Sequence, residues 1–322
     1  MHNLSRRHFF LSAAMAGAAF GLSSKLFIPS ASAGTGIDPE QGVYKYKVGA
    51  VEVTALYDGI WRKPHDPAFI KNASVAETKD ALAQAGLTTE YMPIPLTVIV
   101  LNLGDRLVMI DSGSGAQWQP TAGRLHENMA KAQIDPDKIG TILLSHFHPD
   151  HIFGLMHKGT DAPFFPNAEL VVAKAEYDWW TAPGRVEKLP EARKDLGRRI
   201  NSVFPKWKNF TFIDKDGEVA PGIELVKAPG HTPGHSVFIV SSGNEQLMIS
   251  NDTAYVPALL APHPEWQGAY DQDGPTAVTT RRKIIDRVIA DKMKVCGAHF
   301  PFPGAGTFVK DGDAYAFTPV ES

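Results

Sequence analysis

The sequence predicts an α/β protein, and two observations support that class. Strand-like stretches rich in Val, Ile, Thr and Tyr occur in two groups along the chain, and each group is followed by stretches with helical apolar spacing. Apolar residues make up 43% of the 322 residues, so the chain can bury a sizeable core. The pattern is compatible with two sheets packed face to face under outer helices, and equally with an ordinary α/β sheet.

The first group of predicted strands lies before residue 146. Ser74 is a residue type that begins helices, and the pair Gly104 and Asp105 is typical of a tight turn between strands. The stretch 139–145 is nearly all apolar, which indicates a strand buried on both faces. The predicted elements are one or two strands over 44–59 that end at Asp58 and Gly59, a loop over 62–73, a helix over 74–87, a hairpin over 96–115, a helix over 123–134 and the strand over 139–145.

The second group of predicted elements follows a polar and basic segment. That segment, 181–208, has helical spacing and predicts a helical insert. No internal repeat and no long Pro-, Gly- or Ser-rich linker divides the chain, which favours one domain. The remaining predicted elements are a strand and then a helix over 168–180, strands within 222–230, 237–252 and 293–299, and a helix over 276–291.

The amino terminus predicts an export signal. Arg6 and Arg7 precede a short stretch rich in Gly and Ala, and small residues suited to signal peptidase follow at 31–33. The pattern Ser-Arg-Arg-x-Phe-Phe resembles a twin-arginine signal, while an ordinary secretory signal or an uncleaved anchor is the alternative. We therefore expect a signal peptide over 1–33 that is handled by the twin-arginine export machinery, a single mature domain over 34–322, and a periplasmic or secreted protein.

Charge and cysteine content exclude several classes of site. The net charge is −3 with no long run of one sign, which argues against a nucleic-acid-binding surface. The single cysteine, Cys296, excludes an intrachain disulfide and a Cys-rich zinc site, and its apolar surroundings predict a core residue. The chain contains no G-x-S-x-G nucleophile motif. Any metal site must therefore be built from His, Asp and Glu.

The stretch LLSHFHPDHIFG carries four ligand-type residues within six positions. His146 and His148 are two residues apart, so on an extended segment their side chains point the same way. Pro149 breaks the extended run, so Asp150 and His151 begin a new element and can point elsewhere. One loop can therefore supply ligands to two adjacent metals, and imidazole with carboxylate suits Zn, Fe, Mn or Co.

Three later ligand-type residues each follow a predicted strand. They are His231 in APGHTPGHS, Asp252 in MISNDTAY and His299 in VCGAHFPFPG. Alone each signal is weak, because an Asp at the end of a strand is usually a cap or turn residue and a lone His is rarely a ligand. Together they repeat one arrangement of strand, ligand and loop, which predicts a site at one rim of a sheet scaffold.

These motifs together resemble the metallo-β-lactamase-fold hydrolases. SHFHPDH matches the His-x-His-x-Asp-His signature of that superfamily, and GHTPGH, Asp252 and His299 match its later ligand motifs in order, over about residues 44–305. The resemblance implies an αββα four-layer sandwich with a two-metal site between the sheet edges. It therefore favours two facing sheets over a single α/β sheet.

The same resemblance implies a role for each ligand-type residue. It predicts two divalent metal ions, with zinc favoured and iron, manganese or cobalt as alternatives. Asp111 in MIDSGSG would orient a ligand, and His235 would have either a similar role or a structural one. Phe153 stands where many members have Gly, which leaves the packing of the first helix after the cluster open. One metal would be held by His146, His148 and His231, the other by Asp150, His151 and His299, with Asp252 bridging both.

The implied pair of metals suits hydrolysis, because two ions can bridge a water and lower its pKa toward neutrality. The bridging Asp252 disfavours true β-lactamases, and the TPVES tail lacks the basic region of glyoxalase-II-like thioesterases. The charge balance does not support a nuclease. The motifs LLSHFHPDHIFGL, APGHTPGHS and CGAHFPFPGAG resemble those of the methyl parathion hydrolase and lactonase branch of the superfamily.

Candidate substrate-binding residues are aromatic. Tyr255 lies three residues after Asp252, where acyl-homoserine lactonases have a Tyr that points at the substrate carbonyl or leaving oxygen; the alternative is an ordinary loop aromatic. Asp252 and Tyr255 are thus the catalytic candidates. Further candidates for the pocket wall, each with a core position as the alternative, are Trp118, Phe147, Trp179 and Trp180.

We therefore expect a dinuclear-metal hydrolase that opens lactones or related esters and has promiscuous phosphotriesterase activity. One alternative is a dedicated organophosphate hydrolase of the methyl parathion type. Another is a non-catalytic periplasmic metal-binding protein on the same fold. The expected partner is a small-molecule lactone, ester or organophosphate and not a nucleic acid, and a homodimer stays open because related enzymes are often dimers.

Overall fold

A computed structural model of the chain describes residues 37–320. The signal peptide predicted over 1–33 lies outside the described residues. Within 37–320, no helix has the length and apolar character needed to cross a membrane.

The described residues form fourteen strands in two seven-stranded sheets. In each sheet the strands lie side by side in chain order, β1 to β7 in the first and β8 to β14 in the second. The strands are β1 (Val43–Val48), β2 (Val51–Lys63), β3 (Met92–Asn102), β4 (Leu107–Ile110), β5 (Ile139–Leu144), β6 (Glu169–Ala173), β7 (Phe210–Ile213), β8 (Gly217–Ala220), β9 (Ile223–Lys227), β10 (Ser236–Ser242), β11 (Glu245–Ile249), β12 (Lys294–Cys296), β13 (Ala305–Asp311) and β14 (Ala314–Pro319).

Eight α-helices connect the strands of the described chain. The Ser74 side chain accepts a hydrogen bond from the backbone of Glu77, whose own side chain accepts from the Ser74 backbone, so the predicted cap is a complete capping box. The helices are α1 (Val75–Gln84), α2 (Leu125–Lys131), α3 (Pro149–Ile152), α4 (Lys174–Thr181), α5 (Arg185–Lys188), α6 (Glu191–Val203), α7 (Pro257–Leu260) and α8 (Gly274–Ala290).

The two sheets face each other, and helices cover their outer faces. Alternation along single strands produces this arrangement, because successive side chains point to opposite faces of a sheet. Val98 and Val100 of β3 pack with α2, α4 and α6, whereas Ile99 and Leu101 pack between the sheets. In β10, Phe238 packs between the sheets while its neighbours pack toward α1, α7 and α8. The expected four-layer αββα sandwich is confirmed.

One predicted strand end is wrong. Asp58 and Gly59 do not end β2; the strand register shifts between Tyr57 and Gly59, and the strand continues to Lys63. Gly59 has φ +135°, and a Cβ there would lie 2.3 Å from the Thr121 carbonyl oxygen, so the bulge needs a glycine. The loop predicted over 62–73 therefore begins only after Lys63.

The sequence reasoning also missed short elements. Four strands, β7, β8, β13 and β14, and the single-turn helix α7 had no predicted counterpart. All are six residues or fewer except β13, and the four strands lie at or near sheet edges. Such strands bury only part of their surface, so their hydrophobic pattern is weak. The helical insert expected over 181–208 is confirmed as α5 and α6.

Parallel pairing brings the ligand loops to one edge. β4 and β5 are parallel neighbours in the first sheet, and β11 and β12 are parallel neighbours in the second. The carboxyl ends of parallel strands meet at the same edge of a sheet. The loops that carry Asp111, His146, Asp252 and His299 each follow one of these four strands.

Candidate metal centre

The loop after β5 changes direction where the sequence predicts it. His148 has extended backbone angles, φ −77° and ψ 157°, and Pro149 occupies the first turn of α3. His146 and His148 therefore project from the extended segment, while Asp150 and His151 project from the first helical turn. The proline supports the turn because its fixed φ suits the first position of a helix.

The first group of ligand-type side chains consists of His146, His148 and His231. His148 Nδ1 lies 3.0 Å from His146 Nε2 and 2.9 Å from His231 Nε2. Ligand nitrogens of a tetrahedral zinc ion stand about 3.3 Å apart, given zinc–nitrogen bonds of about 2.0 Å. All three imidazoles are buried, so most of their surface packs against protein rather than water.

The second group consists of Asp150, His151 and His299. Asp150 Oδ2 lies 3.3 Å from His299 Nε2 and 3.7 Å from His151 Nε2. One ligand atom from each residue can be chosen such that all lie within 4.8 Å of one another. The structure thus brings together both sets of residues that the family resemblance assigned to separate metals.

Asp252 lies between the two groups. Its Oδ1 is 3.3 Å from His151 Nε2, and its Oδ2 is 3.3 Å from His231 Nε2 and 3.2 Å from His299 Nε2. It lies in a short 3₁₀ turn, Asn251–Ala254, directly after β11. One carboxylate therefore contacts members of both groups, as a bridging ligand requires.

Hydrogen bonds set the orientation of the imidazoles in the first group. Ser145 Oγ donates to Asp111 Oδ2 at 2.7 Å, so it accepts from His146 Nδ1 at 2.9 Å. His231 Nδ1 donates to Asp271 Oδ1 at 2.9 Å. With the proton on Nδ1 in both rings, Nε2 carries the free lone pair that a metal ligand needs.

Asp271 is itself held by a buried arginine. Arg281 is 0% exposed and lies 3.4 Å from the Asp271 carboxylate. The same guanidinium donates to the carbonyls of Thr253, Pro264 and Trp266. The Arg281 side chain thus supports both the orientation of His231 and the backbone next to Asp252.

The imidazoles of the second group have different partners. Asp111 Oδ2 accepts from His151 Nδ1 at 2.7 Å. Asp111 therefore contacts a ligand-type imidazole directly, as the orienting role predicted for it requires. His299 Nδ1 lies 2.8 Å from the Pro95 carbonyl oxygen. A carbonyl only accepts, so Nδ1 of His299 carries the proton and Nε2 faces the centre.

His235 supports the centre through the backbone. Its Nδ1 donates to the Ala228 carbonyl at 3.0 Å, and its Nε2 accepts from the Asp252 amide at 3.2 Å. Both ring nitrogens are therefore occupied by protein partners. Of the two roles predicted for His235, orienting a ligand or a structural one, the structure favours the first, because the ring accepts from the Asp252 amide.

Burial and charge separate the two groups. Burial lowers the pKa of His146 and of His148, which favours the neutral imidazole that binds metals. Burial also lowers the pKa of His151, but Asp252 and Asp111 outweigh it and raise that pKa well above the usual value. Burial raises the pKa of Asp252, but His299 and His151 outweigh it and hold that pKa low, so Asp252 is a carboxylate.

The donor set fits two divalent cations. Among the described residues, three buried ligand-type atoms have no hydrogen-bond partner: His148 Nε2, His151 Nε2 and Asp252 Oδ1. Buried polar atoms normally have partners, so the two that face the centre, on His151 and Asp252, indicate a bound group that would satisfy them. Imidazole nitrogens and carboxylate oxygens are ligands for Zn, Fe, Mn and Co.

A pocket of about 300 Å³ opens onto the centre. Trp118 and Tyr255, both predicted for the pocket, line it beside His148 and Asp252. The Tyr255 hydroxyl is buried and has no hydrogen-bond partner within the described part of the chain. A Cβ at Gly268 would lie 1.3 Å from that hydroxyl, so the glycine leaves room for the tyrosine.

The other three aromatic candidates lie away from the pocket wall. Phe147 is fully buried and stacks on Phe204 at 4.7 Å between ring centroids, because it points away from the histidines on either side of it. Trp180 is also fully buried, and Trp179 packs against the same core and under the Arg185 guanidinium. The prediction of these residues as pocket wall is wrong, and the core alternative holds.

The sequence reasoning missed part of the actual wall. Trp61, Tyr270 and Arg193 line the pocket together with the predicted aromatics. Trp61 lies at the end of β2 and Arg193 lies in α6, so their sequence positions are more than 100 residues apart. No local pattern marks such residues, because only the fold places them on one surface.

The unusual Phe153 has a specific partner. The Arg199 guanidinium of α6 lies 4.4 Å from the centre of the Phe153 ring and donates to Gln117 Oε1. Gln117 in turn donates to the Phe153 carbonyl at 2.9 Å. The bulky side chain therefore joins α6 to the end of the ligand loop, and it displaces none of the ligand-type residues.

Comparisons with known proteins agree with this geometry. The sequence pattern of the Metallo-beta-lactamase superfamily matches residues 93–299. An N-acyl homoserine lactonase of Bacillus thuringiensis is 30% identical over 133 residues, which are 41% of this chain. Those residues span 45% of that relative, so the chain matches about half of its length.

Two solved structures share the whole architecture. AidC, described as a dizinc quorum-quenching lactonase in complex with a product, is 28% identical with a TM-score of 0.80, over 86% of this chain and 97% of that one. AbOPH, described as a hydrolase in the beta lactamase superfamily, is 26% identical with a TM-score of 0.80, over 87% of this chain and 98% of that one.

Proposed function

Since the chain belongs to the metallo-beta-lactamase superfamily, we propose that it is a metal-dependent hydrolase that opens lactones or related carboxylic esters. The observation that carries the proposal is Asp252, whose two oxygens face both groups of ligand-type side chains at the base of the pocket. The described lactonase activity of the relatives AidC and the Bacillus thuringiensis enzyme supports the substrate class.

The proposal includes two divalent metal ions, with zinc favoured. His146, His148 and His231 would hold one, and Asp150, His151 and His299 the other, with Asp252 shared. Two bound ions would supply Lewis acidity and activated water for hydrolysis. The carboxylates of Asp252 and Asp150 would offset part of the positive charge brought into this buried site.

Tyr255 supplies a proton donor at a fixed place in the pocket. Burial and the nearby Asp271 carboxylate raise its pKa well above the usual value, so the hydroxyl stays protonated at neutral pH. Its ring centroid lies 5.6 Å from that of His231, next to the first group. The hydroxyl can therefore donate to the carbonyl or leaving oxygen of a bound lactone.

The remaining wall of the pocket suits an apolar substrate with one polar group. Trp61 and Trp118 meet edge to face with their ring centroids 4.8 Å apart, and Tyr270 lies 5.8 Å from Trp61. These rings can pack against the acyl or aryl part of a substrate. Arg193, on the same wall, can donate to an oxygen remote from the scissile bond.

A promiscuous phosphotriesterase activity is the second part of the proposal. A phosphotriester, like an ester, has an electrophilic centre with an adjacent oxygen, so the same ligands can serve both. The wall of Trp61, Trp118 and Tyr270 favours the aryl leaving group of substrates such as paraoxon. A dedicated organophosphate hydrolase would instead cleave phosphotriesters faster than it opens lactones.

A substrate panel tests the function. Purified protein loaded with zinc, cobalt, manganese or iron is assayed on dihydrocoumarin, an acyl-homoserine lactone and paraoxon, with chelator-treated protein as control. We expect lactone opening faster than paraoxon cleavage and both lost on chelation. Faster paraoxon cleavage would favour the organophosphate hydrolase, and no turnover with both metals bound would favour the non-catalytic metal-binding protein.

We also propose that the protein is exported through the twin-arginine pathway. The support is the paired Arg6 and Arg7 before a short apolar stretch, with small residues at 31–33. Replacing both arginines by lysine should retain the protein in the cytoplasm of its host, as measured by cell fractionation. Unchanged export of the R6K/R7K variant would contradict the proposal.

A further inference from the structure

Glu176 is a fully buried carboxylic acid that the metal centre, as described so far, does not use. It lies in the first turn of α4 and is 0% exposed. Moving an unpaired carboxylate into the protein interior is strongly unfavourable, so such a group survives only with full hydrogen bonding. Its partners therefore indicate what it is for.

Four hydrogen bonds reach the Glu176 carboxylate, two on each oxygen. Oε1 accepts from the Phe147 amide at 2.9 Å and from Trp180 Nε1 at 2.8 Å. Oε2 accepts from Thr232 Oγ1 at 2.6 Å and from the Gly234 amide at 3.0 Å. The amides and the indole can only donate, so the ionised carboxylate is the form that satisfies them all.

Three of the four partners belong to the two loops that carry the first group, while the fourth, Trp180, lies in α4 itself. Phe147 lies between His146 and His148, in the loop after β5 of the first sheet. Thr232 directly follows His231, in the loop between β9 and β10 of the second sheet. The Glu176 side chain thus joins α4 to Thr232 and Gly234, which lie 56 and 58 residues further along the chain. The same side chain also reaches the Phe147 amide, 29 residues before it.

The backbone of the second loop also lies directly against α4. A Cβ at Gly234 would stand 2.1 Å from the Glu176 backbone nitrogen and 2.4 Å from its Cα. These are backbone atoms that cannot rotate away, so the glycine in GHTPGH is required for this close approach. The contact leaves the loop little freedom to shift relative to Glu176.

We propose that Glu176 is a positioning residue that sets the distance between the two loops of the first group and thereby its affinity for metal. The 2.9 Å separation between His148 Nδ1 and His231 Nε2 spans the two loops that Glu176 joins. The inference rests on the proposed metal centre. It concerns metal binding, so it can fail while the hydrolase proposal stands.

The effect should be confined to the first group. The imidazoles of the second group are oriented from elsewhere, His151 by Asp111 and His299 by the Pro95 carbonyl. Asp111 follows β4 and Pro95 lies in β3, and neither is a hydrogen-bond partner of Glu176. Loss of the Glu176 contacts should therefore lower the metal affinity of the first group and leave that of the second group unchanged.

The test is Glu176→Gln, which keeps the size of the side chain but replaces one acceptor oxygen by a donor NH₂. Either the Phe147 and Trp180 donors or the Gly234 amide then face another donor. Zinc titration of the metal-free variant should show one site weakened about 10- to 100-fold and the other unchanged, since residues that orient ligands have effects of this size. Isothermal calorimetry with metal analysis measures both.

Cobalt loading identifies which site is weakened. In the cobalt protein the Nδ1 protons of His231 and His299 should give separate hyperfine-shifted resonances, because each is held by a hydrogen bond. At limiting cobalt, the Glu176→Gln variant should lose the His231 resonance and keep that of His299. A change in stability alone would not move one resonance without the other.

Asp58→Asn is the matched control. Asp58 is equally buried and accepts hydrogen bonds from Ser114 and Leu125, away from the loops of the first group. This variant should lower the melting temperature while the affinity of the first group stays unchanged. If Asp58→Asn weakens the same metal as much as Glu176→Gln does, the positioning role is overturned.

A milder variant covers the case in which Glu176→Gln does not fold. Thr232→Val removes one of the four donors and keeps the charge and shape, so a smaller loss at the same site is expected. Unchanged affinity at both sites, or equal weakening of both, overturns the inference. Wild-type protein that binds no metal refutes the metal centre itself, which is a separate result.

Discussion

The two groups of metal ligands differ in what builds and holds them. The first group is three imidazoles drawn from both sheets, and burial keeps His146 and His148 neutral. The second group includes a carboxylate, and Asp252 with Asp111 raises the pKa of His151 against the effect of burial. Nitrogen ligands favour zinc and cobalt, while oxygen ligands also accept manganese. The comparison teaches that one buried centre can present two chemically different sites.

Asp252→Asn should have the largest effect, because it removes the charge that faces both groups. We expect both metal affinities and kcat/KM to fall by more than about 100-fold, which exceeds the usual effect of residues that only orient ligands. Metal analysis of the purified variant and lactone hydrolysis measure the result. If one metal stays at full occupancy, Asp252 does not serve both groups.

Asp111→Asn and Asp271→Asn should divide the two sites. Asp111 orients His151, and Asp271 orients His231. Asp271→Asn should weaken the metal of the first group about 10- to 100-fold and leave the other nearly unchanged, whereas Asp111→Asn should weaken the metal of the second group by a similar factor. Zinc titrations of the pair provide each other's control. Because Asp111 also binds Ser145 beside His146, a smaller loss at the first site is expected there.

Tyr255→Phe should separate catalysis from metal binding. The hydroxyl lies beside the first group but is absent from its ligand set, so both metals should stay bound. We expect kcat for lactone opening to fall about tenfold, the value of one hydrogen bond to a developing charge. An unchanged rate, with both metals present, would remove Tyr255 from the mechanism.

Arg193→Met should have the smallest effect. Among residues 37–320, the hydrogen bonding of the Arg193 guanidinium is limited to one long contact with the Ala269 carbonyl, 3.5 Å. Its guanidinium is thus free to contact the substrate. We expect KM for an acyl-homoserine lactone to rise about fivefold with kcat and metal content unchanged. A simple alkyl lactone without an amide should show no change; an equal rise for both would argue against a specific contact.

Much of the centre could be predicted because its residues follow local rules. His146 and His148 share a direction through their spacing on an extended segment, and Pro149 turns Asp150 and His151 away. The loops that follow buried strands, in which the other ligand-type residues lie, could likewise be located because each strand is an apolar run. The pocket wall could not, since Phe147 and Trp180 have the same local character as residues that do line it, yet point into the core.

The sequence by itself determined which side chains can bind metal and in what order, because these signals depend on spacing over a few residues. Only the tertiary structure decided what supports them. His231 depends on Asp271, 40 residues away, and the loop of His231 depends on Glu176, 56 residues from Thr232. Such partners are neighbours through sheet pairing and packing, and no short-range pattern records a contact made across two sheets.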